Sequence, residues 1–413
     1  MAKIKLTNIN PTDIKGGASL AGYRLHKELL GDPEIDSVIF VNQKYTKDKE
    51  VIRFSNFFLW QIERILNKIS YFTGLLYLFS VNWLPFWLFK RFRQTDVFLI
   101  RSIHGGFLPF WLPWRLSKKA PVIWRFPDMW ALTGHCAFAY NCLKWQKECG
   151  QCPLLKDYPA IFIDTSRLLF RWKKYFYSRS NLHLVAPSKW MLENIKKSPI
   201  LRQLPSYYIP IGIDTELFKP ISRREKFTLI IVSGSLKDKR KGANVLPGIL
   251  RQLDKELKNK NIFLDIFWVG EKDISAVEFN KLSNINNIFV GHKKESELAE
   301  YYGQSHLHIL PTLADNLPNT IIESLACQTP VVVFDIGGCS DAVKHLKTGY
   351  LAEPANAEDF VRGIMYFLND SKALEACGKA GRELVKQQFT SQLQAQRYKA
   401  LIKQVYQENK KKL

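Results

Sequence analysis

Apolar residues along the chain fall in short runs, separated by longer stretches whose apolar positions recur at helical spacing. In the first half Ile4–Asn10, Val38–Val41, Val97–Ile100, Val122–Trp124 and Leu182–Val185 read as strands, and Leu20–Leu30 reads as a helix. The second half repeats the scheme with Thr228–Ser233, Phe263–Val269, Ile288–Val290, Leu307–Leu310 and Val331–Phe334, and with a helix over Gly242–Leu257. Strands that are apolar on both faces and alternate with helices predict parallel sheets covered on both sides. Pro and Gly punctuate the segment Ile209–Thr215. The pattern therefore predicts an α/β chain of two doubly wound, Rossmann-like domains facing a cleft, over 1–208 and 209–390. A polar helix over 391–413 closes the chain, with the option of packing back on the first domain.

Composition adds scale and charge. A chain of 413 residues exceeds one ordinary core, and 46% hydrophobic with 13% aromatic residues excludes a disordered class. The formal net charge of +22 points to an anionic partner. Between Lys144 and Arg202 there are 12 Lys or Arg against 4 Asp or Glu, interleaved with Trp145, Phe162, Phe170, Trp172 and Tyr175. That mixture favours an anionic membrane face over a plain solvated surface, and no motif supports nucleic acid as a partner. The N-terminus lacks an apolar signal core. The expectation is a cytoplasmic protein, peripheral on the inner face of the plasma membrane.

Tyr71–Phe89 holds 19 residues without a formal charge. Asn82, Pro85 and the aromatic clustering argue for a peripheral amphipathic hairpin, formed with the preceding Phe54–Ile69, over a spanning helix. An internal helical pair without lipid contact is the remaining reading.

The strongest chemical signal lies after Leu307–Leu310. A loop carries Asp315, Asn316 and Leu317, and a helix is expected from Asn319 with Glu323 on its first turn. Amides at a helix start bind phosphate oxygens, and a carboxylate accepts hydrogen bonds from vicinal sugar hydroxyls. This Asp-x7-Glu segment resembles the E-x7-E region of family 4 retaining GT-B glycosyltransferases. The resemblance implies that Asp315 holds the donor sugar and Glu323 the ribose. It places the amides of Asn316 and Leu317 near the sugar and diphosphate. Asp in place of Glu at the first position shortens the reach by one methylene.

Upstream, Ser235-Leu-Lys-Asp-Lys-Arg-Lys241-Gly242 follows a strand and opens a helix. The family's Lys before Gly falls on Lys241, implying a cation against the departing diphosphate. The family's Arg six residues earlier is Ser235 here, leaving Lys237 or Arg240 to substitute. His292 falls where such proteins seat the base.

In the first domain Gly17 sits in the first strand-to-helix loop, where glycine lets backbone approach a ligand. Asp128, Trp130, Thr133, Gly134 and Cys136 follow the pattern H-D-x-W-x-x-T-G-x-C of the colanic-acid-type, exopolysaccharide-building subgroup of that family. Pro127 stands where those relatives have His. Asp128, Arg125 or His135 could cover its role, and His104 in Ser102-Ile-His-Gly105 is a further candidate beside the acceptor. Cys136, Cys142, Cys149 and Cys152 have spacings that suit a structural zinc, while reduced thiols and disulfides stay open.

The resemblance implies a hexosyl-type transferase acting with retention, with no cofactor needed for catalysis. Lys241, Asp315 and Asp128 would be the catalytic residues. The partners would be a nucleotide-sugar donor and a lipid-linked saccharide acceptor in exopolysaccharide or cell-surface glycan synthesis. The alternatives are a sugar-nucleotide epimerase on the same fold and a non-catalytic membrane partner that keeps the nucleotide pocket.

Overall fold

The computed structural model describes residues 3–234, 238–270 and 282–411. The chain forms two compact units, one of Met1–Gly212 with Ser391–Leu413, the other of Ile213–Thr390.

In the first unit seven parallel strands lie in the order β3-β2-β1-β4-β5-β6-β7. They are β1 Ile4–Thr12, β2 Ile35–Gln43, β3 Val51–Arg53, β4 Val97–Ile100, β5 Val122–Arg125, β6 Leu182–Ala186 and β7 Ser206–Tyr208. Every residue of β4, β5 and β6 is buried, as strands covered on both faces require. One face carries an aromatic core that includes Phe86, Phe92, Phe98, Phe110, Trp124 and Trp130. The other face packs Leu6, Leu99 and Ile123 against Tyr398, Ile402 and Val405 of the last helix, Ser391–Lys410.

That helix buries Ser391, Gln394, Ala395, Tyr398, Leu401, Ile402 and Val405, a narrow stripe at heptad-like spacing. The rest of its surface is polar, which explains its polar reading in the sequence. Lys399 bridges Asp32 at 2.7 Å, Lys403 pairs with Glu34, and the Gln394 amide donates to the Pro210 carbonyl at 2.9 Å.

The second unit has six parallel strands in the order β10-β9-β8-β11-β12-β13. They are β8 Thr228–Ser233, β9 Leu264–Gly270, β10 Ile285–Gly291, β11 Leu307–Leu310, β12 Val331–Phe334 and β13 Gly349–Ala352. The helix Leu246–Asn259 buries Ile249, Leu250, Leu253 and Leu257 against this sheet's core. Both units are thus parallel-sheet α/β domains of Rossmann type. In each, chain order reverses at the middle of the sheet, between β1 and β4 and between β8 and β11. Ligands of such sheets bind beyond the carboxyl ends of strands at that reversal.

Tyr71–Phe89 does not form one helix. The helix Phe57–Thr73 ends at Gly74, which adopts φ 73°, and only a 3-10 turn, Leu84–Leu88, follows. Leu76, Tyr77 and Phe86 are buried in the aromatic core, while Phe72, Phe79, Leu84 and Leu88 of the same run are exposed. The two-helix hairpin is therefore replaced by one amphipathic helix and a folded connection. Among the described residues no helix is long and apolar enough to cross a membrane.

Truncating Ile402→Ala, fully buried in the last helix, should lower unfolding free energy by about 2–5 kcal/mol in urea titrations. An effect below about 0.5 kcal/mol would show that the last helix adds nothing to the first unit's core.

Candidate functional site

In the second unit two loops meet at the reversal point. After β8 the chain makes a 3-10 turn, Lys239–Lys241, whose capping Asp238 carboxylate accepts the Arg240 amide at 2.9 Å. Ser235 and Lys237 lie outside the described residues. Gly242 closes the turn at φ 90°, and a Cβ there would lie 2.1 Å from the Pro311 carbonyl oxygen. Only glycine allows this approach of the β8 loop to the end of β11. The Arg240 carbonyl then accepts from the Leu313 amide at 2.7 Å and the Thr312 hydroxyl at 3.0 Å.

This stitching delivers two cations to one carboxylate. Lys241 Nζ pairs with Asp315 Oδ2, and Arg240 Nη1 lies 3.3 Å from the same oxygen. The other oxygen, Oδ1, accepts the Asn316 amide at 3.0 Å. Burial alone would raise the Asp315 pKa, but the charges of Lys241 and Arg240 outweigh it and hold it below the usual carboxylate range. Gly337, at φ 56°, brings a third loop in: a Cβ there would lie 1.8 Å from the Asp315 carbonyl oxygen. Asn316 and Leu317 are buried beside it.

The helix Asn319–Ala326 starts where expected, after Pro318. Glu323 is its fifth residue and the first turn holds no acid, so the first-turn placement is corrected. At 3.6 residues per turn the fifth position opens the second turn. Glu323 is therefore a buried carboxylate past the helix start, where the dipole effect fades. His292 directly follows β10, at the carboxyl edge of the same sheet. His308, which sequence reasoning missed, is fully buried on β11, and burial with the Lys241 charge pushes it down to about 3.

In the first unit His104 follows β4 and Asp128 follows β5, on neighbouring strands. His104 Nε2 lies 3.0 Å from Asp128 Oδ2, and its Nδ1 lies 3.2 Å from the Ser102 hydroxyl. The ring stacks on Trp130 at 5.5 Å and 21°, and Asp128 Oδ1 accepts the Trp130 amide at 2.9 Å. Sequence reasoning named both residues but not their pairing, which depends on strand order. Gly17 begins the helix Gly17–Leu29 after β1, with Gly16 at φ 89° ahead of it.

Two other candidates sit elsewhere. His135 places Nδ1 3.0 Å from the Pro159 carbonyl and Nε2 3.2 Å from Cys152 Sγ, among the cysteines. Arg125 is buried on β5 near Tyr398. Neither touches Asp128 or His104 by any hydrogen bond or ion pair found among the described residues.

Cys136, Cys142, Cys149 and Cys152 are free thiols lining one small cavity with His135. The Gly134 amide points at Cys149 Sγ (3.2 Å) and the Leu154 amide at Cys152 Sγ (3.4 Å). Burial pushes the Cys136 thiol up to about 12 and Cys149 to about 11. Among the described residues no group of three or more His, Cys, Asp or Glu is disposed to hold a metal ion.

Residues 214–384, nearly all of the second unit, match the family model of the group 1 glycosyl transferases. The chain is 24% identical over 177 residues to the sulfoquinovosyl transferase SQD2 of Arabidopsis thaliana, covering 42% of this chain and 35% of that protein. It is 27% identical over 139 residues to the capsular polysaccharide biosynthesis glycosyltransferase CapM of Staphylococcus aureus, covering 33% of this chain and 36% of CapM. The chain thus spans about a third of the length of these curated relatives. Among solved structures, HepE of Anabaena in complex with UDP and glucose superposes with a TM-score of 0.66 at 14% identity. That match covers 97% of this chain and 100% of HepE. The fold is that of the GT-B glycosyltransferases.

Asp315→Asn would leave Lys241 without its carboxylate and Arg240 with Asp238 alone, and should cost on the order of 1–3 kcal/mol at neutral pH. Because the folded pKa is depressed, this stabilisation is present above the ordinary carboxylate pKa and lost as pH falls through the lower folded value. Urea titrations at pH 7 and in that acid window should show the wild-type advantage shrinking toward zero. An advantage independent of pH would exclude the ion pair as its source.

Proposed function

We propose that this chain is a retaining glycosyltransferase. It moves a hexosyl group from a nucleotide-sugar donor to a hydroxyl of a lipid-linked saccharide in exopolysaccharide or cell-surface glycan synthesis. The observation that carries this reading is the Lys241–Arg240–Asp315 cluster at the reversal point of the family-matched unit. HepE, which shares the fold, binds UDP and glucose.

In this reading the bond between the anomeric carbon and the diphosphate oxygen breaks, and its electron pair leaves on the diphosphate. The new bond forms to the acceptor oxygen on the same face, and the acceptor proton passes to a phosphate oxygen. Charge grows on the leaving group as an oxocarbenium-like centre develops, so cations placed there stabilise the transition state more than the ground state. Lys241 and Arg240 supply that countercharge without a divalent metal. Asp315 holds both in place before donor arrives and afterwards faces the sugar. Glu323 takes the ribose hydroxyls. In the first unit, His104 oriented by Asp128 fills the role that relatives give to the His at the position of Pro127. The Asp128 carboxylate fixes the imidazole tautomer, as an acid behind a histidine does elsewhere.

A panel of nucleotide sugars tests this. One donor should bind and turn over with an acceptor-bearing membrane extract. Lys241→Ala and Glu323→Ala should each weaken donor binding by about tenfold, or about 1.4 kcal/mol. His104→Ala should lower turnover with donor affinity retained. Wild-type affinity in both donor-site variants would overturn the site, and donor binding without any turnover would favour the inactive partner.

The peripheral membrane reading rests on the helix Phe57–Thr73. Phe57, Phe58, Ile62, Ile65, Ile69 and Phe72 are exposed along it, with Arg64 and Lys68 between them and Phe162 6.1 Å from Phe72. An apolar face flanked by cations on a chain of net charge +22 fits an anionic bilayer surface. The protein should co-sediment with vesicles containing phosphatidylglycerol, less so at high salt, and Phe58→Ser with Ile65→Ser should reduce binding several-fold. Equal sedimentation of the double variant would rule out this helix as the contact.

A further inference from the structure

Arg101 follows β4 directly, and its side chain is 1% exposed. Its Nε, Nη1 and Nη2 have no hydrogen-bond partner among the described residues. Arg125 Nε, both side-chain atoms of Asn10 and the Tyr398 hydroxyl are buried in the same condition.

These groups form one cluster. Ile9 pairs with Ile100, and Ile100 with Trp124. The next residues along the three strands are Asn10, Arg101 and Arg125, so they stand in one row at the carboxyl ends of β1, β4 and β5. Tyr398 of the last helix covers the row, with its ring 5.8 Å from the Arg101 guanidinium. Gly22 of the helix Gly17–Leu29 walls the other side. A Cβ there would lie 2.6 Å from both Arg101 Cδ and Asn10 Nδ2.

Among the described residues no acid forms an ion pair with the arginines of this row. Arg101 is pushed down to about 10 by burial, and the Arg125 charge adds to that shift while Tyr398 opposes it. Burial likewise lowers Arg125, with Tyr398 as the opposing group, and among the described residues no carboxylate acts on either guanidinium. His26, also buried, lies within reach of the Arg101 charge and is held at about 4, hence neutral. Two buried cations without an acid, beside an amide and a phenol, make an arrangement rich in donors that is costly until an anion enters. Guanidinium forks match the oxygens of phosphate-like anions, and the carboxyl edge of a parallel sheet is where ligands collect.

We propose that Asn10, Arg101, Arg125 and Tyr398 form an oxyanion-binding site in the first unit, taking phosphate or the phosphate group of a larger molecule. The site shares no residue with the donor cluster of the second unit and does not depend on the glycosyltransferase reading.

The test is calorimetric titration of the full chain with inorganic phosphate at constant ionic strength, in parallel with UDP. Wild type should bind one phosphate saturably, and phosphate should raise its melting temperature. Arg101→Met should lose at least tenfold in phosphate affinity, and Tyr398→Phe, which keeps the ring, should lose several-fold with an unchanged circular dichroism spectrum. If Arg101→Met loses UDP affinity as well, the oxyanion is the nucleotide's; if UDP binding is unchanged, it is free phosphate. No phosphate binding by wild type, or equal affinity in Tyr398→Phe and wild type, overturns the proposal. So does an Arg101→Met variant that melts higher than wild type in every buffer, because the arginine would then be only an unfavourable core charge.

Discussion

Parallel strands cannot be joined by a tight turn, so each requires a crossover, and every segment leaving a strand's carboxyl end emerges on one edge of its sheet. That constraint organises both units. Lys241 after β8 and Asp315 after β11 are 74 positions apart, yet they pair because β8 and β11 are neighbours. His104 and Asp128 pair because β4 and β5 are neighbours. Close packing then fixes the loops within ångströms. Gly242 lets one loop press on the Pro311 carbonyl, and Gly337 lets another press on that of Asp315. The catalytic reading rests on backbone geometry before it rests on any charge.

Charge does the rest by being shared unequally. In the second unit Asp315 faces both Lys241 and Arg240, and Asp238 takes the other face of the Arg240 guanidinium at 3.0 Å. In the proposed reaction an anionic diphosphate would meet cations already held in position, so little reorganisation would be needed as its charge grows. Burial of the carboxylate strengthens the attraction while raising the cost of breaking it. His308, neutral beneath Lys241, adds no further positive charge.

Much of this was legible in the sequence. Runs such as Val97–Ile100 and Val331–Phe334 are apolar at every position and β-branched or aromatic at most of them, as a strand buried on both faces requires. Asp315 and Lys241 were legible because a strand, a loop with acids and a helix start leave a long local signature. The short strands β3, β7 and β13 were not, because Arg53, Ser206 and Gly349 break the unbroken apolar run that marks the other short strands. The pairing of His104 with Asp128 was invisible because it is set by strand order. Arg125 and His135 lie apart from the His104–Asp128 pair for a related reason. Proximity in sequence to Asp128 said nothing about alternation along β5, which turns Arg125 to the face under Tyr398, or about the loop that carries His135 to Cys152. The hairpin expected through Tyr71–Phe89 gave way to one helix because Gly74, at φ 73°, ends that helix and the following chain folds Leu76, Tyr77 and Phe86 into the core.

Three buried or half-buried basic clusters show how differently one chain can settle a cation. Lys241 and Arg240 have a carboxylate. Lys173, 1% exposed, donates to the carbonyls of Trp130 (2.6 Å) and Thr133 (3.0 Å) and lies 3.6 Å from the centre of the Trp130 ring. Burial still pushes it down to about 7, so near neutrality it can shed its charge. Arg101 has only the Tyr398 ring at 5.8 Å: among the described residues no acid pairs with it and no carbonyl accepts from it, and a guanidinium does not give up its proton at physiological pH. A lysine in that position could neutralise and an arginine cannot, so the charge there persists at every working pH. In the proposed site the entering oxyanion supplies the countercharge.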